Sequence, residues 1–340
     1  MKYKLLGRSG LKVSELCLGT MGFGTEAGWG ADKETSFAII DAFANAGGNF
    51  IDTANMYKLG TSEKIIGEYL HNHDRDYFVV ATKYSLKDNL TNPNASGNNR
   101  KNMMRSVEDS LRRLKTDFID LFYLHIWDDL TPIDEVLRGL DDLVRQGKIN
   151  YAAISDTAAW VVSKGNTMAE LMGWSQFVAL QIEYSLIART PERELIPMAK
   201  HYGMTVTPWA PLGGGVLTGK YLRGEQGRIK PESKRRNEQA EAITKAVVEV
   251  AEEIGATPGN VALKWTMQQG FSSIPIVGAT KLNQLQDNLK TIHINLTDGQ
   301  LKKLNDASAI ELGFPGDFFK EEGIKMNLFG GFYDRVEKRG

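Results

Sequence analysis

The chain is 340 residues long, enough for one large α/β barrel or two ordinary domains, and its 42% hydrophobic and 24% charged residues are a normal globular mixture. With 41 basic against 42 acidic side chains it carries no global field to gather polyanions, and no Lys/Arg stripe with interleaved aromatics occurs, which argues against a nucleic-acid partner. No apolar run approaches the ~20 residues of a membrane span, and Met1-Lys2-Tyr3-Lys4 leads into no hydrophobic signal core. The lone Cys17, in the apolar string LCLG, excludes an internal disulfide and reads as a buried thiol in a reducing compartment, so the cytoplasm is the expected location.

In chain order, residues 1–14 read as a short β-hairpin turning at Ser9-Gly10, positioned to plug the bottom of a barrel. Apolar, β-rich runs then recur at 15–21, 49–54, 77–84, 118–125, 150–156, 177–184, 204–211 and 273–279. Amphipathic segments alternate with them. DKETSFAIIDAFANAG starts on an Asp32 N-cap and stops at Gly47. RKNMMRSVEDSLRRLK places Met104, Val107, Leu111 and Leu114 on one face at helical spacing. PIDEVLRGLDDLVRQGK carries Pro132 in its first turn and ends at Gly147. TPERELIPMAKHYG and TKLNQLQDNLK continue the series. Residues 213–238 form a Gly-, Lys- and Arg-rich insertion, and 311–340 a Gly- and Phe-rich tail without a period.

Strands that are apolar nearly throughout belong to a sheet covered on both faces. Eight of them with intervening helices predict a (β/α)₈ barrel spanning residues 1–340 as one domain. A doubly wound sheet would need a dinucleotide fingerprint after its first strand, and GTMGFG (19–24) has its glycines in the wrong order.

Within this scheme the strings FIDTANMY, VVATKY and LFYLH stand out. Asp52, Lys83 and His125 end the second, third and fourth strands, and the C-terminal strand ends of such a barrel ring its reactive mouth. With about a quarter of residues charged, three consecutive strands ending so by chance is roughly a one-in-fifty event. Tyr57 lies on the loop after Asp52. A phenol titrates near ~10, and bringing it to about 7 takes roughly 4 kcal/mol. An ammonium about 4 Å away supplies close to that at an effective dielectric near ~20. Asp52 would keep Lys83 charged, and His125 would position a substrate oxygen or share in proton transfer. The set describes a tuned acid with no covalent nucleophile and no metal cage.

Asp52, Tyr57, Lys83 and His125, in that order and spacing, resemble the catalytic tetrad of the aldo-keto reductases. The likeness runs from LGRSGLKVSELCLGTM to IPIVGATKLNQLQDNL, and is read as that of a bacterial member with similarity to the potassium-channel β-subunit branch. It implies a (β/α)₈ barrel binding NADPH, or NADH, at the strand C-termini, with hydride passing to a carbonyl carbon while tyrosine supplies the proton. By position it implies cofactor contacts from Gly19, Thr20, Met21 and Asp52. Ser155, Asp156 (where the family has Asn) and Gln181 would meet the nicotinamide amide, and Trp209 would stack on its ring. Ala210, Pro211, Leu212 and Gly214 would line the pyrophosphate, with Lys220 and Arg228 on phosphate. Gly278, Thr280, Lys281, Gln284, Asp287 and Asn288 would hold the adenosine end. GGVLTGKY (214–221) nearly spells a P-loop, but Tyr221 stands where magnesium needs a small hydroxyl.

Trp29, Tyr57, His125 and Trp127 are candidates for the substrate pocket, with packing an equal reading for both tryptophans. Phe314, Phe318 and Phe319 would cover the mouth or pack on the barrel wall. His71 and His73 read as a polar helix end. The expected activity is reduction of small carbonyl compounds. The rivals are a redox-sensing or partner-binding module on the same barrel and an aldolase using Lys83 as a Schiff base. An oligomer is compatible with the sequence, and the polar loop 85–100 is compatible with a substrate border, a subunit contact or a solvated segment.

Overall fold

A computed structural model of the protein describes residues 1–337 except 27, 88–90 and 228. An antiparallel hairpin comes first, β1 (Tyr3–Leu5) against β2 (Lys12–Ser14). Eight parallel strands follow: β3 (Cys17–Gly19), β4 (Phe50–Asp52), β5 (Val79–Tyr84), β6 (Ile119–Leu124), β7 (Ile149–Ser155), β8 (Phe177–Glu183), β9 (Thr205–Trp209) and β10 (Ile276–Gly278). Their order runs β10-β3-β4-β5-β6-β7-β8-β9, and β9 meets the chain leading into β10 where Val206 N–H donates to Ser272 O and Ile274 N–H to Val206 O. The sheet thereby closes into the expected (β/α)₈ barrel. Every expected strand is present, with ends that differ by up to three residues from the expected bounds.

The helices are α1 (Lys33–Asn45), α2 (Thr61–Leu70), α3 (Arg100–Leu114), α4 (Ile133–Arg145), α5 (Ala159–Met172), α6 (Leu195–His201), α7 (Glu238–Ile254), α8 (Pro258–Met267), α9 (Leu282–Leu289), α10 (Asp298–Ala307) and α11 (Glu322–Phe329). Asp32 caps α1 as expected, accepting from Thr35 N–H. Pro132 is the N-cap of α4 rather than a first-turn residue. The segment 190–203 is two pieces, a 3₁₀ turn (Thr190–Glu192) and α6, because Pro197 lacks an N–H and is tolerated only within the first turn of a helix. The tail carries α11. Phe314 and Phe319 are 85% and 56% exposed and group with Phe318. Among the described residues, no helix is long and apolar enough to cross a membrane.

Two apolar layers show which way each strand residue faces. Leu18, Ile51, Val80, Phe122, Leu124, Ile154, Leu180, Ile182 and Val206 pack outward with the helices. Cys17, Phe50, Val79, Ala81, Leu121, Tyr123, Ala153 and Ala179 fill the lumen, joined from below by Leu6 and Val13 of the hairpin. The hairpin is therefore the expected plug. Gly7 sits so tightly that a Cβ there would lie 2.1 Å from the Val178 carbonyl oxygen. Strand side chains alternate between faces, so counting two onward from each lumen residue predicts what points into the mouth. Phe50 leads to Asp52, Ala81 to Lys83, Tyr123 to His125, Ala153 to Ser155 and Ala179 to Gln181.

Candidate active site

Asp52, Lys83, Tyr57 and His125 meet at the C-terminal mouth. Lys83 is fully buried and its ammonium donates to Asp52 Oδ2 at 2.8 Å, to Thr53 O at 2.7 Å and to Tyr57 Oη at 3.4 Å. Burial works to discharge this lysine, but Asp52 and then Tyr57 together hold it above its ordinary value. Gln181 Nε2 donates to Asp52 Oδ1 at 2.9 Å. The Tyr57 and His125 rings meet edge to face at 5.9 Å.

The expected downward shift of the phenol is corrected here. Burial raises Tyr57 above its ordinary value, Lys83 opposes this, and Asp52 works with burial. Asp52 offsets part of the pull of the ammonium on the phenol, and burial, the largest cause, outweighs what remains. At neutral pH Tyr57 therefore keeps its proton. His125 is lowered to about 3, first by burial and then by the Lys83 charge, and so is a neutral imidazole. Its Nδ1 is buried without a partner, as are Ser155 Oγ and both side-chain polar atoms of Asn55.

Side-chain hydrogen bonds of Ser85 and Asn98 reach the backbone beside this mouth. Asn98 N–H donates to Asp128 Oδ2 at 2.6 Å, Asp128 N–H returns to Asn98 Oδ1 at 2.8 Å, and Asn98 Nδ2 reaches Ser85 Oγ, which accepts from His125 N–H. Ser85 and Asn98 are thereby joined to the backbone of His125 and to Asp128. Trp127 is half-buried against the outer core, whereas Trp29 is 41% exposed on the first loop.

A dinucleotide fits several features. Ser155 Oγ is an orphaned polar atom at a strand end, the kind of group a carboxamide would satisfy. Trp209 is fixed by its Nε1–H donating to Asp156 Oδ1 at 3.1 Å, and the Arg235 guanidinium lies 5.6 Å from its ring centroid. Burial raises the Asp156 carboxyl, opposed by Trp209 and Lys83 and helped by Glu183. After β9, Ala210, Gly213, Gly214 and Gly215 all have positive φ, the backbone shape that aims N–H groups at an anion. Gly213 and Gly215 N–H close turns onto Ala210 O and Leu212 O on either side of Gly214. Pro211 is buried at the start of this turn, and Lys220 lies against Gly215. The P-loop likeness fails structurally, because Tyr221 Oη accepts from Ile229 N–H. Arg228 lies outside the described residues.

At the first strand, Gly19 and Gly278 are paired and Gly19 abuts Ile276. Thr20 Oγ1 donates to Asp52 O at 2.9 Å, while Met21 is 42% exposed. Lys281 caps α9 at its N-terminus, and Thr280 N–H donates to Gln284 Oε1 at 3.0 Å. Asp287 accepts from Thr257 and Lys290, and Asn288 is buried. Cys17 is buried, with its thiol pushed up by burial. His73 stacks on Tyr69, and no metal-holding cluster occurs among the described residues.

Sequence reading missed Tyr123, Asn55 and Arg235. Tyr123 was findable by period-two counting back from His125, and Asn55 lies inside FIDTANMY. Nothing in the sequence marks Arg235.

Comparison with known proteins agrees with this geometry. Residues 15–309 match the model of the Aldo/keto reductase family. The chain is 42% identical to an aryl-alcohol dehydrogenase [NADP(+)] of Phanerodontia chrysosporium, covering 96% of this chain and 91% of that protein. It is 35% identical to norsolorinic acid reductase of Aspergillus flavus (93% and 83% covered) and 37% identical to an aldo-keto reductase of Aspergillus calidoustus (93% and 84%). With the barrel, the four convergent side chains and a family match running through nearly all of both, the chain belongs to the aldo/keto reductase family.

Proposed function

We propose that the protein reduces aromatic aldehydes and ketones to alcohols with NADPH, Tyr57 supplying the proton. The observation that carries this is the buried Lys83 ammonium, 2.8 Å from Asp52 and 3.4 Å from Tyr57, beside a neutral His125. NADPH, when bound, supplies the hydride. Tyr57 then hands its proton to the carbonyl oxygen as charge develops there, Lys83 stabilises the phenolate left behind, and the His125 imidazole orients that oxygen. Asp52 holds Lys83 in its charged form, with Gln181 steadying the carboxylate. Ser155 Oγ is free to meet the nicotinamide amide, and Trp209 offers its face. Lys281 and Thr280 at the start of α9 favour a 2′-phosphate, and the name of the Phanerodontia relative supports the same cofactor. That name also supports the aryl class, as do Met21, Trp29 and Ile126, all about two-fifths exposed on loops at the mouth. The relatives named are fungal and carry enzyme names, so the bacterial and channel-subunit placement draws no support from them. The Schiff-base reading is disfavoured, because Lys83 is held charged and an ammonium is no nucleophile.

Tyr57→Phe is expected to lower carbonyl reduction by about 10²–10⁴-fold while NADPH binding, followed by fluorescence titration, is retained. Undiminished turnover sinks the assignment. The raised phenol has a directional consequence. Reduction needs the protonated form and should be flat across neutral pH, whereas alcohol oxidation needs the phenolate and should climb as pH rises into the alkaline range.

A further inference from the structure

The turn that follows Tyr57 is unusual. Lys58 and Leu59 have φ of +50° and +56°, and Gly60 follows at +88°. Left-handed backbone is unfavourable for residues with a Cβ, and two in succession need outside support. Leu59 gives none through its side chain, which is 84% exposed. From behind, Arg113 lies where a Gly60 Cβ would come within 2.9 Å of its Cδ, and Arg113 itself is paired to the buried Glu63 at 2.6 Å. From in front, Lys58 reaches the first loop. Its ammonium donates to Trp29 O at 2.5 Å and stands 3.7 Å from the Trp29 ring centroid. Its Cβ packs 3.1 Å from where a Gly24 Cβ would be, and a Cβ added at Gly22 would lie 3.7 Å from Trp29 Cζ3.

A single side chain therefore ties the residue next to Tyr57 to the indole that borders the mouth, by a hydrogen bond and a cation–π contact together. We propose that Lys58 is a positioning and specificity-determining residue, a latch that holds Trp29 as the wall against which the aromatic part of a carbonyl substrate packs. This rests on the carbonyl-reductase reading above. Small carbonyls do not reach that wall and do not sense the latch. Bulky aryl carbonyls do, through KM more than through kcat, because the latch shapes binding rather than the proton donor.

The test is steady-state reduction of 2-naphthaldehyde and of propanal with NADPH by the wild type, Lys58→Met, Lys58→Arg, Trp29→Ala and the Lys58→Met/Trp29→Ala double variant. Lys58→Met is expected to raise KM for 2-naphthaldehyde about tenfold, the range set by one lost apolar contact, with kcat and both propanal constants within about twofold. Lys58→Arg, which keeps a cation over the indole, is expected to restore most of the loss. Trp29→Ala should match Lys58→Met, and the double variant should be no worse than either, since the two side chains act as one unit. Unchanged naphthaldehyde KM in Lys58→Met overturns the latch, as do additive losses in the double variant or an equal loss for both aldehydes. The two readings fail separately. Persistent turnover in Tyr57→Phe refutes the function, whereas an inactive Tyr57→Phe with a wild-type KM profile in Lys58→Met refutes only the latch.

Discussion

At the N-terminal end of the barrel, Leu6 and Val13 fill the lumen, and several polar groups beside them are paired. Ser14 N–H donates to Asn49 Oδ1, Asn49 Nδ2 to Lys12 O, and Gly7 N–H to Thr205 Oγ1. At the C-terminal end, the same lumen is topped by a buried lysine and aspartate, while His125 Nδ1, Ser155 Oγ and the Asn55 amide are buried without partners. Non-glycine residues with positive φ gather there too, at Lys58, Leu59, Ser85, Asp156 and Ala210. The difference teaches that one end is arranged for stability. The other carries desolvation and backbone strain that only a ligand-binding site would retain.

Changing each end in turn tests that division. Lys83→Met should have the largest effect. It leaves Asp52 buried with its cation removed, so unfolding in urea should show a loss of about 3–5 kcal/mol, together with collapse of carbonyl reduction. A variant with wild-type stability and turnover would break the contrast. Leu6→Ala should sharpen it from below, lowering stability by about 3 kcal/mol through cavity formation while leaving kcat/KM unaltered at temperatures where the protein is folded. A large kinetic defect would show that the plug shapes the mouth.

His125 provides the smallest and most pH-specific effect. Its folded pKa of about 3 lies below an unfolded value near ~6.5, so the unfolded chain binds the proton first. The stability this contributes is complete above ~6.5 and is lost as pH falls toward 3, by up to about 1.4 kcal/mol per pH unit. His125→Gln should flatten that acid limb in urea titrations at pH 7 and 5. A limb of unchanged slope would assign it to other groups.

The eight strands were legible because both faces of each are buried, so apolar runs stand out and their polar exceptions mark the mouth. Asp52, Lys83 and His125 could be placed from that alone, and Tyr57 from its short distance along the chain. The sign of the Tyr57 shift could not. It is a sum of burial and two opposed charges, and only the fold sets how nearly Lys83 and Asp52 cancel at the phenol. Gln181 on Asp52 was hidden for a similar reason, since its amide can serve a cofactor or a carboxylate with equal chemistry. The Lys58–Trp29 contact escapes any pattern, because half of it is made to a backbone oxygen.

Strand β10 pairs with β3, Ile276 opposite Cys17, and the chain just before it provides the bonds to Val206. The ring thus joins the beginning of the chain to a segment made late in synthesis. A nascent polypeptide released before residue 272 would display β3 and β9 as bare sheet edges, templates for pairing with other chains. Premature termination upstream of that point should therefore yield aggregates rather than a smaller soluble enzyme.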